Sequence, residues 1–379
     1  MMRRVRRWAA PVWAGVALAL AVTAGPAMAC SICLAAVKIS PGQRLDNADR
    51  IVIAVPDRHG GWQIVEDIKG TEPVDPATLI DAAPAGKNDA AVLFLRDALG
   101  QRWSAFGRVD PDTADWLRRL VRVPAPAGGA PVSAQAWQQR LPIIWAEVAA
   151  DDPLIKAIAE GDLARAPYRD LIAFGRTLST EAVLQHLADG ESRSCTSRLC
   201  TTMAHLAGGE PAPQRAPYIL MLGAIGDDAA RSWIDEAVTS ASTQNDASDL
   251  SALLAADLEI RGPSRIGWIE GTYFRVRSRG VDEIEAALEA LRLHAEAQTV
   301  IPRGDVVAAY ASFVEARPQF AGFVATDLAE WKEWSLTGAF VALLNAEAIA
   351  DPAGRFAAMS YVSLSADTEA TARLAVARD

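Results

Sequence analysis

The chain has 379 residues, 51% of them hydrophobic, and a formal net charge of −10. Residues 1–29 hold four arginines and no acid, so the remainder stands at −14, and an acidic surface without basic clusters argues against nucleic acid or anionic membrane as partner. The length gives room for two domains, or for one domain and a repeat array.

Arg3, Arg4, Arg6 and Arg7 form a cationic head before an apolar stretch from Ala9 to Gly25, and Pro26 precedes the small-residue site Ala27-Met28-Ala29. This is the pattern of a secretory signal peptide over residues 1–29, suited to Sec export. The apolar stretch is shorter than the ~20 residues a spanning helix needs, and no later segment is uniformly apolar. The expected product is a periplasmic or secreted protein that starts at Cys30 and has no transmembrane span. Cys30 also stands where a lipoprotein signal places its modified cysteine, so an outer-membrane lipid anchor is the alternative.

Export puts Cys30, Cys33, Cys195 and Cys200 in an oxidising space, where pairing is the default. Four cysteines allow three connectivities, and spacing alone does not choose among them. Proximity favours Cys30 with Cys33 and Cys195 with Cys200. Thioredoxin-type pairs follow a strand and open a helix, which lowers the thiol pKa. A pair at the start of a mature chain has no preceding strand, so a disulfide clip fits Cys30-x-x-Cys33 better than a redox site.

Residues 30–109 read as a β domain. Short apolar or alternating runs occur at residues 50–55, 62–68, 77–80, 91–95 and 102–109, with turn signals at Pro56-Asp57, Gly60-Gly61, Lys69-Gly70 and Gly86-Lys87-Asn88. Five such strands predict a small barrel or sandwich. Residues 110–133 read as a helix capped by Asp110 and then a linker rich in Ala, Gly and Pro. From residue 134 to 379 the pattern is helical, with segments expected at 154–164, 180–187, 229–240, 250–260, 282–297, 306–316 and 336–350.

Those helices carry a faint repeat. Arg165-Ala-Pro-Tyr168 recurs as Arg215-Ala-Pro-Tyr218, and Pro263 and Pro318 stand at similar helix openings. Intervals near 50 residues suit one two-helix unit each, and such units stack into a solenoid because a lone hairpin cannot bury its apolar face. An irregular helical domain is the competing reading. The fold class expected is α+β and multidomain: a small five-stranded β-barrel followed by an α-helical, HEAT-like solenoid.

Three stretches, Cys30-Ser-Ile-Cys33, Ala48-Asp-Arg-Ile-Val-Ile-Ala54 and Trp62-Gln-Ile-Val-Glu-Asp-Ile-Lys-Gly70, together resemble the pattern of netrin-like domains, including tissue inhibitors of metalloproteinases. Most of the chain resembles secreted bacterial proteins that join such a domain to a HEAT-like helical region. The resemblance implies an OB-like barrel, and it would make Cys30 the position whose amino group and carbonyl chelate a protease zinc. In those inhibitors the terminal cysteines are tied to later partners in the same domain. Residues 34–194 contain no cysteine, so the chelating end would lack its tether.

Cys195 and Cys200, flanked by His186 and His205, form a ligand set suited to zinc or copper, although the spacing matches no standard finger and oxidation would remove both sulfurs. Asp110, Asp112 and Asp115 superficially suggest calcium, but without a glycine turn or distal glutamate they read as helix capping. His59 in a turn, and His294 on a helix with Glu285 and Glu289, read as solvated. Trp331 and Trp334, three apart on one expected helix, would share a face that could recognise a partner. No hydrolase, phosphate-loop or dinucleotide motif occurs. These features point to a non-enzymatic scaffold or adaptor that binds a protein partner and needs no cofactor, with cysteine-based redox or metal handling as the rival. Intact mass of the exported protein should give a chain beginning at Cys30, and any lipid on that residue would register in the same measurement.

Overall fold

The computed structural model describes residues 40–82, 90–97, 102–125, 134–191 and 215–365. The described chain opens on a helix, α1 (Pro41–Asn47), inside the stretch expected to be all β. Ser40 Oγ accepts the Gln43 N–H at 3.2 Å, and Gln43 Oε1 accepts the Ser40 N–H at 2.8 Å. This is a capping box with Pro41 in the first turn, where its missing N–H costs nothing. The Ser40-x-x-Gln43 spacing is its sequence signal.

Four antiparallel strands follow: β1 (Ala48–Pro56), β2 (Trp62–Lys69), β3 (Val92–Asp97) and β4 (Trp103–Arg108), in the order β2-β1-β3-β4. Ile51, Ile53, Leu93 and Leu95 point to the core shared with the helices, while Val52, Ala54, Val92 and Phe94 point to the other face. A strand buried on both faces explains why β1 reads as a continuous apolar run.

The expected five-stranded barrel is not formed. The run at residues 77–80 lies within a 3-10 helix, Pro76–Ala82. Asp75 directs that turn: its Oδ1 accepts the Ala77 N–H at 3.0 Å and its carbonyl accepts the Thr78 hydroxyl at 2.7 Å. Pro76 has no N–H to give a ladder. Leu79, fully buried, then covers the outer face of the sheet beside Val52 and Phe94, where Trp62 meets Phe94 edge-on at 4.9 Å. The segment is a cover rather than a strand. With β2 and β4 at opposite ends of the strand order, the sheet stays open.

Arg50 fixes the turn after β2. Its guanidinium donates to the carbonyls of Lys69 and Gly70, each at 2.7 Å, and of Glu72 at 3.0 Å. Gly70 has φ +88°, and a Cβ there would lie 2.7 Å from Arg50 Cδ. Glycine is thus needed at this turn for both backbone and space.

The remainder is helical. Asp110 caps a 3-10 turn, its Oδ1 accepting the Asp112 N–H at 3.0 Å, and α2 (Ala114–Arg122) follows. Then come α3 (Ala134–Trp145), α4 (Pro153–Ala164), α5 (Tyr168–Gly175), α6 (Thr180–Glu191), α7 (Ala216–Ile225), α8 (Asp228–Gln244), α9 (Leu250–Arg261) and α10 (Ile266–Ile269), which continues as a π turn. α11 (Val281–Ala297), α12 (Arg303–Ala316), α13 (Ala325–Trp331), α14 (Thr337–Asn345) and α15 (Pro352–Leu364) complete it. Among the described residues no helix is long and apolar enough to cross a membrane.

One hydrophobic core runs from Leu45 and the inner face of the sheet to Val362. The four prolines of the repeat do not open equivalent units: Pro167 is the residue before α5 and Pro217 lies in the first turn of α7, whereas Pro263 and Pro318 open 3-10 turns. Contacts also skip units, which a one-dimensional stack does not allow. Arg169 of α5 donates to the Ala297 carbonyl at the end of α11, at 2.6 and 2.9 Å, across 128 residues. Tyr168 donates to Glu259 of α9 at 2.9 Å.

The N-terminal helix is joined to this body by a buried charge network. Asp46, at the end of α1, and Asp162 of α4 face Arg140 of α3 and Arg165, and all four side chains are no more than 4% exposed. Arg140 meets Asp162 at 2.5 Å and Asp46 at 3.2 Å; Arg165 meets Asp162 at 2.7 Å and Asp46 at 2.5 Å. Arg140 also donates to the carbonyls of Leu120 and Val123 at the end of α2. Gly42 makes room for this arrangement, since a Cβ there would lie 1.6 Å from Asp162 Oδ1.

Removing one member strands buried charges on the others. Asp162→Ala should therefore cost ~3–5 kcal/mol, measured by urea unfolding, since Arg140 and Arg165 would be left buried with Asp46 as their one shared carboxylate. A change below ~1 kcal/mol would show that water reaches the network.

Candidate functional site

Two open clefts of similar size occur among the described residues, one of about 530 Å³ lined by Thr180, Glu181 and Leu184 and one of about 520 Å³ between α11 and α13, and the second carries most of the charge. α11 presents Glu285, Glu289 and Arg292 to it, α13 presents Asp327, and Ala286, Leu288 and Phe323 supply apolar lining. Residues 285, 289, 292 and 296 recur at steps of three and four, so they share one helix stripe. Arg292 is gripped by Glu289 in a bidentate pair at 2.9 and 3.1 Å, and Glu296 and Asp327 each stand 3.9 Å from its other end. Several carboxylates around one guanidinium hold its pKa well above the usual value, against the opposing effect of burial.

Asp327 sits deepest in charge terms. Burial pushes its carboxyl up to about 7, while Tyr310 and Arg292 pull it down and Glu289 and Glu296 push it further up. Tyr310, fully buried on α12, donates to Asp327 Oδ2 at 2.8 Å, and its ring stacks on Trp331 at 5.6 Å. Arg303 lies over the Trp331 ring at 5.4 Å. Chemically, the cleft offers fixed negative charge, one tethered cation and an apolar flank.

The sequence-derived candidates fall elsewhere. Cys30, Cys33, Cys195, Cys200 and His205 lie outside the described residues. His186, on α6, is half-buried among rings, edge-on to Trp145 at 4.9 Å and 5.5 Å from Tyr218. Among the described residues no group of three or more His, Cys, Asp or Glu is placed to hold a metal ion. Trp331 and Trp334 do not share a helix: α13 ends at Trp331, and Lys332 turns the chain with φ 58°. Trp334 packs on Tyr361 at 5.2 Å instead.

His294 overturns the expectation of a solvated side chain. It lies five residues after Glu289, about 140° further around the helix, and is fully buried. Its Nε2 is 2.9 Å from the Ala255 carbonyl, and its ring meets Tyr168 edge-on at 5.5 Å. Burial lowers its pKa, so the neutral ring donates from Nε2. His59 is exposed in its turn, its N–H bonded to Asp57 Oδ1 at 2.7 Å.

Sequence reading missed Tyr310, Arg292 and Asp327 as a set. The stripe on α11 is legible from spacing, whereas the Tyr310–Asp327 bond joins two helices across a 3-10 segment that has no periodic signal.

An acid whose pKa is raised by folding binds its proton more tightly in the folded state, so its contribution to stability falls as pH rises from about 4 to about 7. In Asp327→Asn that contribution is absent. Thermal melts should show the variant gaining stability relative to the parent as pH rises from about 4 to about 7, with no further gain above that; parallel curves across the range would refute a raised Asp327.

No family model, curated protein or solved structure matches the chain, so the geometry of the site is what bears on its function.

Proposed function

We propose that the chain is an exported interaction module, without a covalent step of its own, whose α11/α13 cleft receives a protein partner. The observation that carries this reading is the pairing, in one open cleft, of Glu285, Glu289 and Asp327 with an apolar flank at Ala286, Leu288 and Phe323. A Lys or Arg side chain set in an apolar segment would meet complementary charge and bury its stem against that flank. The ring stack of Trp331 on Tyr310 braces Asp327 from behind, which keeps the acceptor in place before a partner arrives.

The rival reading, cysteine-based redox or metal handling, rests on residues outside the described ones. Titration of thiols and metal in the purified mature protein separates it from the first. A netrin-like inhibitory role loses its main fold-level support with the open sheet.

A photo-crosslinking residue placed at Ser251, beside the cleft, tests the interaction in the producing cell. One discrete protein adduct is expected, reduced at least ~10-fold when Glu285 and Glu289 are both changed to Arg, since like charges across an interface cost several kcal/mol. An adduct indifferent to those changes, or turnover of a substrate by the purified protein, would overturn the proposal.

A further inference from the structure

The turn that leads into α11 is a basic knuckle on an acidic chain. Arg275, Arg277 and Arg279 lie within five residues of one another, in a protein of net charge −10. Two arginines fix its backbone from the inner side. Arg317, 4% exposed, donates to the carbonyls of Phe274 at 2.7 Å, of Arg277 at 3.3 Å and of Val276. Arg279 donates to the Thr272 carbonyl at 3.2 Å, to the Ser242 carbonyl of α8 at 2.7 Å and to Glu283 at 2.6 Å. The buried Arg50, Arg140 and Arg165 each meet a carboxylate. Among the described residues Arg317 is the one buried arginine bonded to carbonyls alone, so its charge adds to that of the knuckle above it.

The outer side of the knuckle faces solvent. Val276 is 40% and Val281 41% exposed, unusual values for large apolar side chains. Arg275 meets Glu270 at 3.1 Å, whereas Arg277 is exposed and, among the described residues, meets no acid. Past Val281 the charge changes sign. Asp282 and Glu285 follow, and Glu285 is exposed where it lines the α11/α13 cleft. Arg277 stands four residues before Val281 and Glu285 four residues after it, and Val281 and Glu285 share one stripe of α11. A patch with cations on one side of an apolar centre and anions on the other is complementary to its own copy turned through half a rotation.

We propose that two copies of the chain pair across a two-fold axis at Val281, with Arg277 of each copy on Glu285 of the other and Val276 and Val281 covered between them. The partner at this end of the α11/α13 cleft is then a second copy of the chain, an inference that rests on reading the cleft as an interaction site. An apolar centre rimmed by opposite charges is the ordinary anatomy of an interface. Arg317 and Arg279 hold the turn in shape before a partner arrives, so little chain freedom is lost on docking. The patch is small, which makes the pair weak and reversible. Because the contact is with the same patch on the other copy, assembly closes at two.

Sedimentation velocity of the purified mature protein between about 1 and 300 µM should show monomers passing reversibly to dimers, the regime of a small interface. Arg277→Glu and Glu285→Arg, each at an exposed position, should weaken pairing at least ~10-fold, because each sets like charges opposite one another. Unchanged thermal melts would show that both variants keep the fold. An equimolar mixture of the two variants should pair as the parent does, since every contact across the axis is again between opposite charges. A parent that stays monomeric at every concentration overturns the inference, as do dimers indifferent to both variants, a mixture as weak as its components, or assemblies larger than two copies. The Ser251 adduct is read in the cell and the mass in purified protein, so the two failures are distinct. A monomer that still yields the adduct would sink this inference and leave the cleft to a different protein.

Discussion

Four charged side chains with almost no access to water hold the two parts of this molecule together. Asp46 comes from α1, which leads into the interior strand β1, while Arg140, Asp162 and Arg165 come from α3, α4 and the residue after it. Bringing such ions out of water costs several kcal/mol each, and their mutual attraction about offsets the cost. The network is therefore a weak source of net stability. What it supplies is specificity, since any other seating of α1 on α4 would leave Asp46 without its partners and the two guanidinium groups buried with Asp162 alone. Leu45 and Trp137 could pack in several ways; Asp46 cannot.

The α11/α13 cleft follows a different rule. There Glu289, Arg292, Glu296 and Asp327 are only partly buried, at 13–26% exposure, and the carboxylates outnumber the one guanidinium. Tyr310 gives Asp327 one hydrogen bond from below, and Trp331 backs the tyrosine. Buried aromatic surface thus holds a polar group at the cleft. The same physics that drives helix packing prepares the site, and no separate strain is needed.

Much of the fold was legible in the sequence where pattern and environment agreed. β1 and β3 alternate between two buried faces, and the helices at 154–164, 250–260 and 282–297 appear with boundaries shifted by only a residue or two. The errors have identifiable causes. Residues 77–80 look like a strand because Leu79 and Ile80 are apolar, but Asp75 and Pro76 commit the backbone to a turn before any ladder could form. α1 has a cap signal and no periodic run long enough to show. His294 seemed solvated because Glu285 and Glu289 are on its helix, but a helix buried over most of its circumference can still show one polar stripe. Contacts such as Arg169 with Ala297, which make the helical region a single body, carry no local signature at all.

The span of the Asp46–Arg165 pair has a consequence for the order in which the protein comes into being. Those two residues are 119 positions apart, and a ribosome adding ~5–20 residues each second needs on the order of ten seconds to make the interval. Throughout that time α1 has no Arg140 or Arg165 to dock against, and Asp46 must remain hydrated. An apolar anchor at that position would be free to stick to the unfinished sheet or to a neighbouring chain. A carboxylate waits in water without finding a wrong partner, and gives up its hydration only when both arginines have been made.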